Sequence, residues 1–305
     1  MKYLNPRADL TFKRIFGEHP DLVISLLNAL LPLKAGEEIT EIEYLPSELV
    51  PDNPLRKFSI VDVRCRDMQG RHFLVEMQML WSPEFRQRVL FNASKAYVRQ
   101  LDTGEGYGLL QPVYSLNLVN EVFEPELQGY YHHYAMVHVE HTDRIIEGLQ
   151  LIFVELPKFT PHTYAEKRMH ILWLRFLTEI NETTRTIPEE LLEAPEIKKA
   201  LTVLEESAFT DAELAGYEHF WDGISVEKTL YNSAIRRGLV EGKAEGLAEG
   251  KVEGKAEGLI EGKAEGLAEG EKKKALTIAK QAKEMGMSID NILLLTGLKK
   301  EELPF

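Results

Sequence analysis

Two acidic residues and one amide lie close together in two neighbouring β-rich runs of the chain. Asp62 belongs to the first run, and Glu76 and Gln78 belong to the second. A turn that ends in Gly70 separates the runs, which predicts a β-hairpin. Carboxylates that lie side by side repel each other and need a cation, and hard oxygen ligands suit Mg²⁺ or Mn²⁺. The residue types therefore predict a metal site, provided that the hairpin brings the two acids together.

The register of this hairpin decides whether the two carboxylates meet. If Asp67 pairs with Arg71 around a three-residue loop, Asp62 lies directly across from Glu76. The same register matches the apolar faces of the two runs, pairing Val63 with Val75, Val61 with Met77 and Cys65 with Phe73. A slip of one residue would place Asp62 on the apolar face of its partner strand, where burial disfavours a charge. The alternative interpretation is that these are polar residues of an edge strand that face water.

The elements around the hairpin follow an α/β order. Apolar periodicity predicts, in sequence, helices from Asp9 to about Phe16 and from Asp21 to Leu31, a strand from Ile39 to Leu45, the hairpin, a basic helix from Trp81 to about Leu101, strands at Pro112 to Val119, Tyr131 to Glu140 and Leu149 to Leu156, and a helix from Tyr164 to Ile180. Asp9 and Ser82 are predicted to cap the helices that they begin.

The polar residues of the hairpin resemble a known motif. Asp on one strand followed by Glu-x-Gln on the next looks like the PD-(D/E)XK nuclease core, with Gln78 in place of the usual Lys. Further stretches are similar to the Rpn family, the recombination-promoting nucleases also described as PD-(D/E)XK transposases: residues 9–17 (DLTFKRIFG), 76–78 (EMQ), 155–159 (ELPKF) and the Glu-Gly repeats of the tail. The match extends in order along nearly the whole chain.

This resemblance implies a fold, a cofactor and residue roles. The fold would be a restriction-endonuclease-like α/β core, a mixed sheet flanked by helices, followed by a helical C-terminal region. Asp62 and Glu76 would hold Mg²⁺ or Mn²⁺, helped by the backbone carbonyl of Met77, and Gln78 would orient the attacking water. Unlike Lys, Gln carries no positive charge to stabilise hydroxide or the phosphate.

Composition limits the partners of the protein. The net charge of −13 argues against a general polyanion binder. A local basic surface is nevertheless predicted on the helix that follows the hairpin, and the candidate DNA-phosphate contacts are Arg86, Arg88, Lys95, Arg99 and Lys13. A solvated helix face is the alternative for these cations.

Other residue types narrow the setting of the protein. A single cysteine, Cys65, excludes a disulfide framework and belongs to an apolar strand face. No signal pattern and no run long enough to span a membrane is present, so we expect a cytoplasmic protein without a membrane partner. A zinc site is disfavoured because no Cys or well-placed Asp completes a ligand set with the clustered histidines His132, His133, His138 and His141.

Changes in pattern predict four segments: a nuclease-like domain at 1–182, a helical extension at 183–240, a Glu-Gly tetrapeptide repeat at 241–271 and a small helix-turn-helix-like unit at 272–305. In the repeat each Gly costs a helix roughly 1 kcal/mol relative to Ala, and no apolar face persists along it. The repeat is therefore either a flexible spacer or a helix held by self-association. We expect a homo-oligomer, with a dimer favoured.

The leading hypothesis is a Mg²⁺-dependent DNA endonuclease that hydrolyses phosphodiester bonds and promotes recombination or DNA mobilisation. One alternative is a protein of nuclease fold that binds DNA without cutting it. A second is an oligomeric interaction protein that acts through its repeat tail.

Overall fold

The computed structural model of the protein describes residues 2–49, 59–161 and 168–305. Its elements begin with α1 (Asp9–Glu18), α2 (Pro20–Leu30), β1 (Ile42–Tyr44), β2 (Glu48–Leu49), β3 (Ser59–Ile60), β4 (Val63–Asp67), β5 (His72–Gln78), α3 (Pro83–Val98) and β6 (Val113–Val119). They continue with β7 (Tyr131–His138), β8 (His141–Glu155), α4 (Arg168–Glu179), α5 (Glu189–Glu193), α6 (Pro195–Val203), α7 (Asp211–Glu284) and α8 (Ile289–Thr296). The predicted start of the α4 helix at Tyr164 lies outside the described residues.

The main sheet is mixed and has six strands in the order β1-β4-β5-β6-β8-β7 among the described residues. The central strands β5, β6 and β8 run parallel, whereas β4 pairs with β5, and β7 with β8, in antiparallel fashion. Strands in the parallel part of a sheet are covered on both faces, which explains the near-continuous apolar runs of β5 and β6. The predicted α/β class with a mixed sheet is confirmed.

Helices cover both faces of this sheet. On one face α1, α2, α4 and α6 surround the main core, where the rings of Phe16 and Trp173 lie 5.3 Å apart. On the other face α3 packs Ala93 against Leu74 of β5. Because side chains alternate along a strand, Glu76 shares the α3 face with Leu74. The polar residues of β5 therefore lie under a helix at the centre of the sheet, so an edge strand facing water is excluded.

The hairpin has the predicted register within its strands. Val63 pairs with Val75 and Cys65 with Phe73, and the N–H of Asp67 donates to the carbonyl of Arg71 at 3.1 Å. Gly70 closes the loop with φ +83°, a conformation that residues with a side chain rarely adopt. The ladder begins at Val63, so Asp62 precedes the strand and the predicted pairing of Val61 with Met77 is not part of the ladder.

The two helix caps predicted from the sequence differ in outcome. Ala8, not Asp9, is the N-cap residue of α1, so the predicted Asp9 cap is wrong. The carboxylate of Asp9 lies instead 2.7 Å from the Lys13 ammonium, one turn along the helix. Ser82 is the N-cap residue of α3 before Pro83, as predicted, but its side chain makes no capping hydrogen bond.

The chain divides into two compact units, Met1–Lys228 and Thr229–Phe305. In the first unit Leu191 of α5 and Ile197 of α6 belong to the main core, so this unit extends beyond the predicted boundary at residue 182. In the second unit α7 runs through the whole Glu-Gly repeat with its side chains exposed. It ends before Gly286, and Ala279 and Ala282 pack against Ile292 of α8.

None of the helices in the described ranges is both long enough and apolar enough to cross a membrane.

Candidate active site

Glu76 lies near the C-terminal end of β5 and is buried, with 5% of its surface exposed. The fully buried Asn92 of α3 donates from Nδ2 to Glu76 Oε1 at 3.1 Å. The contact arises because α3 packs over this face of β5 through Ala93 and Leu74. Asn92 thus fixes one oxygen of the Glu76 carboxylate.

Asp62 reaches the same place from the segment between β3 and β4. Its Oδ2 accepts a hydrogen bond from the backbone N–H of Met77 at 2.7 Å. Met77 follows Glu76 directly, so this bond holds the Asp62 carboxylate beside that of Glu76. The structure therefore brings together the two acids that the sequence predicted to meet.

Burial disfavours the charged forms of both carboxylates. Burial raises the pKa of Glu76 to about 7; the hydrogen bond from Asn92 and the charge of Arg88 lower it, and the charge of Asp62 raises it. Burial also raises the pKa of Asp62 to about 6, while the Met77 N–H and Lys13 act in the opposite direction. Two neighbouring carboxylates with raised pKa values form a site that a bound cation would stabilise.

Gln78, the third residue predicted for the site, is held at both ends of its amide. Its Nε2 donates to the carbonyl of Leu80, and its Oε1 accepts from Arg88 Nη2 at 2.6 Å. The same guanidinium nitrogen lies 3.6 Å from Glu76 Oε2. Arg88 of α3 therefore touches both motif residues at the end of β5.

These groups open into a cleft of about 960 Å³ between the sheet and α3. Asp62, Glu76 and Gln78 line it together with Arg88. An apolar wall completes it, formed by Ile60, Leu90 and Phe91, each of which is between 42% and 52% exposed. The cleft is thus large and open, with its carboxylates at the base and apolar side chains beside them.

The cations predicted to contact DNA are dispersed. Arg88 lines the cleft, and Lys13 is close enough to Asp62 to favour its charged form. Arg86 pairs with Glu124, with its guanidinium 5.3 Å from the Trp81 ring centroid. Lys95 donates to the carbonyl of Leu49.

Within the described residues, Arg88 is the one member of the predicted basic helix set that lines the cleft. Arg99 is not among the residues that line the cleft. The predicted basic surface is thus reduced at the cleft to a single guanidinium, with Lys13 nearby.

Asn92 is a site residue that the sequence analysis missed. Its Nδ2 holds Glu76, and its Oδ1 is buried with no hydrogen-bond partner among the described residues. A signal did exist, because Arg88 and Asn92 are four residues apart and therefore share one face of a helix. A buried amide on that face, opposite an acidic strand, indicates a polar contact.

Asp62 and Glu76 offer oxygen ligands for a divalent cation. In the described part of the chain, no group of three or more His, Cys, Asp or Glu side chains is arranged to hold a metal ion. Mg²⁺ characteristically uses one or two protein carboxylates and completes its octahedron with water and phosphate oxygens. Two adjacent oxygen donors in an open cleft fit that requirement, whereas they do not form a closed structural site.

The clustered histidines lie in other contacts. His132 Nε2 is 2.6 Å from Glu155 Oε1, and His133 Nε2 is 2.6 Å from Gln150 Oε1. Both pairs join β7 to β8.

A mixed sheet flanked by helices, with Asp62 just before β4 and Glu76 near the end of the neighbouring β5, is the arrangement expected of the PD-(D/E)XK nucleases. A comparison with protein families matches residues 6–222, more than half of the chain, to the PD-(D/E)XK nuclease family transposases. The chain belongs to this family. Nucleases of the PD-(D/E)XK class generally use divalent metals. No curated protein and no solved structure compared with the chain gives a significant match.

Proposed function

We propose that the protein is a divalent-metal-dependent DNA endonuclease that promotes recombination or DNA mobilisation. The observation that carries the proposal is the Asp62–Glu76 pair, held by Met77 and Asn92 at the base of an open cleft. Keeping two like charges together in a buried place is unfavourable unless a cation joins them. Membership of the nuclease family supports the reaction class.

In this proposal Asp62 and Glu76 hold Mg²⁺ or Mn²⁺, with the carbonyl of Met77 as a further ligand. A divalent cation bound there lowers the pKa of coordinated water and stabilises negative charge on the scissile phosphate. The three motif residues Asp62, Glu76 and Gln78 cannot supply this chemistry themselves, because carboxylates and an amide carry no positive charge that would lower the pKa of water or stabilise the phosphate.

The residues of the chain position the reacting groups. The N–H of Met77 occupies Asp62 Oδ2, and Asn92 occupies Glu76 Oε1, which leaves Asp62 Oδ1 and Glu76 Oε2 as the ligand atoms. Gln78 Oε1 accepts from Arg88, and a carbonyl oxygen has a second lone pair that can orient a water. Gln78 is thus proposed to position the nucleophile without contributing charge.

The substrate is proposed to be DNA held mainly by its shape. Arg88 and Lys13 are the cations placed to meet phosphates, and no base-reading motif was found in the sequence. The apolar wall of Ile60, Leu90 and Phe91 offers van der Waals contact to the sugar and base edges. The proposal includes a homo-oligomer, with a dimer favoured, because a helix with Gly at every fourth position is poorly stable by itself.

A plasmid nicking assay with purified protein tests the proposal. We expect Mg²⁺ or Mn²⁺ to support nicking and EDTA to abolish it, and Asp62→Asn and Glu76→Gln to be inactive. Asp143→Asn is the matched control, because Asp143 is an exposed carboxylate on β8 outside the residues that line the cleft. Equal nicking by Glu76→Gln and Asp143→Asn would contradict the assignment.

The binding-only alternative gives a different result in the same experiment. A folded wild-type protein that binds plasmid DNA, with the same affinity in Asp62→Asn, and that does not cut with either metal would be a DNA-binding protein of nuclease fold. The proposed activity would then be wrong.

A further inference from the structure

Arg88 is the cation in direct contact with the motif residues of β5, whereas Lys13 acts on Asp62 from outside the cleft lining. Its Nη2 donates to Gln78 Oε1 at 2.6 Å and is 3.6 Å from Glu76 Oε2. Gln78 itself is uncharged. Of the residues that line the cleft in the described part of the chain, Arg88 is the only Lys or Arg.

We propose that Arg88 supplies the cationic group of this site by binding a non-bridging oxygen of the scissile phosphate. The inference rests on the proposed nuclease function and adds a residue to it. Gln78 then has two tasks, because one lone pair of its Oε1 holds the Arg88 guanidinium and the other is available to water. The amide thus places a neighbouring cation beside the reaction instead of carrying the charge itself.

The contact with Glu76 is too long for Arg88 to act only as its structural partner. A separation of 3.6 Å exceeds the usual hydrogen-bond distance, so the guanidinium does not satisfy the carboxylate. Asn92 makes the true hydrogen bond to Glu76, from the buried side of the cleft. Arg88 lies instead on the open side, with 46% of its side chain exposed.

The guanidinium keeps enough free donors for a phosphate. Arginine has five N–H hydrogens arranged as a rigid fork that matches phosphate oxygens in pairs. Both contacts of Arg88 to the motif residues use Nη2, and its Nε and Nη1 have no hydrogen-bond partner among the described residues. Nη1 or Nε can therefore donate to a phosphate oxygen without breaking the bond to Gln78.

The helix that carries Arg88 is firmly seated, which suits a positioning role. Phe85 and Val89, on either side of Arg88 in the sequence, are buried against β6 and β8. The Arg88 guanidinium lies 4.7 Å from the Phe85 ring centroid, a cation–π contact that fixes its direction. The other basic side chains of α3, such as Arg86 with Glu124, are engaged outside the cleft.

The test compares Arg88→Gln, Arg88→Lys and a charge-matched control, Arg144→Gln. Arg144 is exposed on β8 and does not line the cleft. Single-turnover nicking of supercoiled plasmid in Mn²⁺ is measured for each, together with Mn²⁺ binding by calorimetry without DNA and the thermal midpoint of unfolding. Asp62→Asn serves as the inactive reference.

We expect Arg88→Gln to nick roughly a hundredfold more slowly than wild type. Arg88→Lys should recover about tenfold of that loss, because it restores the charge but not the fork. Mn²⁺ affinity should be retained or increased in Arg88→Gln, because the variant removes a positive charge that repels the cation. Arg144→Gln should match wild type in all three measurements.

Two results would overturn the inference while leaving the nuclease function intact. One is nicking by Arg88→Gln at the rate of Arg144→Gln, with Asp62→Asn inactive. The other is a loss of Mn²⁺ binding in Arg88→Gln, which would make Arg88 a structural support of the carboxylates. If wild type does not nick at all, the proposed function fails, and the role of Arg88 fails with it.

Discussion

Two buried carboxylates at the same edge of the sheet differ in how they are satisfied. Glu76 is near the end of β5, and Glu155 is at the end of β8, two strands away in the parallel part of the sheet. Among the residues that the structure describes, Glu76 accepts one hydrogen bond, from Asn92. Glu155, which is fully buried, accepts from His132, Lys158 and the backbone N–H groups of Phe123 and Glu124.

The pKa values of the two groups move in opposite directions. Burial raises the pKa of Glu76 to about 7, since its few partners do not compensate the lost hydration. Burial alone would also raise the pKa of Glu155, but hydrogen bonds from Lys158, Phe123 and His132 outweigh it, so its pKa lies below the ordinary value. One carboxylate is thus a completed structural anchor, and the other keeps unsatisfied negative charge that a ligand can use.

The largest expected difference between the two carboxylates is in catalysis. Glu76→Gln should slow nicking by about a thousandfold or more, so that it is inactive in the plasmid assay, because it removes a ligand charge from the reacting centre. Glu155→Gln should nick at the wild-type rate per folded molecule, since Glu155 does not line the cleft. The rates are measured under single-turnover conditions and scaled to the folded fraction by circular dichroism. A thousandfold loss in Glu155→Gln as well would remove the distinction between the two sites.

In the free energy of unfolding, we expect Glu155→Gln to lose more than Glu76→Gln. Glu155→Gln leaves the buried His132 and the partly buried Lys158 without their anion, and breaking such a pair costs about 3 kcal/mol in the free energy of unfolding. Glu76→Gln removes a charge that is poorly compensated, so its free energy of unfolding should equal or exceed that of wild type. Urea unfolding followed by tryptophan fluorescence gives both values. A destabilised Glu76→Gln would mean that Glu76 is also a structural anchor.

A smaller effect is expected at Asn92, which donates a hydrogen bond to Glu76. Asn92→Ala should lower the nicking rate about tenfold, because the carboxylate loses the group that orients it. The matched control is Ser94→Ala, on the same helix and also at the cleft, because among the described residues it is Asn92 and not Ser94 that donates to Glu76. Equal rates for the two variants would show that β5 alone orients Glu76.

The smallest effect is the pH dependence that Glu155 contributes to stability. A carboxylate whose pKa is lowered by folding stabilises the protein above its unfolded pKa, and that contribution disappears as the pH falls through the folded value. The difference in unfolding free energy between wild type and Glu155→Gln should therefore be constant near neutral pH. It should shrink as the pH falls below 4.5, the ordinary value for Glu. A difference independent of pH would show that packing, not charge, is responsible.

Much of the candidate site was predictable because it depends on strand alternation. Asp62, Glu76 and Gln78 follow from period-two patterning and a three-residue loop, and the register from Val63 to Cys65 is confirmed. The partners of these residues were not predictable in the same way. Asn92 reaches Glu76 only because α3 packs at one particular position on the sheet, and this position depends on tertiary contacts.

In two other regions the sequence pattern did not predict the contacts. Residues 155–159 resemble a stretch of the nuclease family, and in the structure Glu155 and Lys158 form an ion pair across a short turn. Glu155 and Lys158 also bond the backbone of the loop after β6, so this stretch has a structural role. For the Glu-Gly repeat, helix propensity did not decide between a flexible spacer and a helix. The structure has a helix there, because Gly weakens a helix without obstructing it.

The most direct test of the account is Mn²⁺ binding measured by calorimetry in the absence of DNA. Wild type and Glu155→Gln should bind Mn²⁺ with similar affinity, and Glu76→Gln should show no saturable binding under the same conditions. This result would mean that the poorly satisfied carboxylate is the cation site. Binding of Mn²⁺ by Glu76→Gln with the affinity of wild type would contradict the central claim.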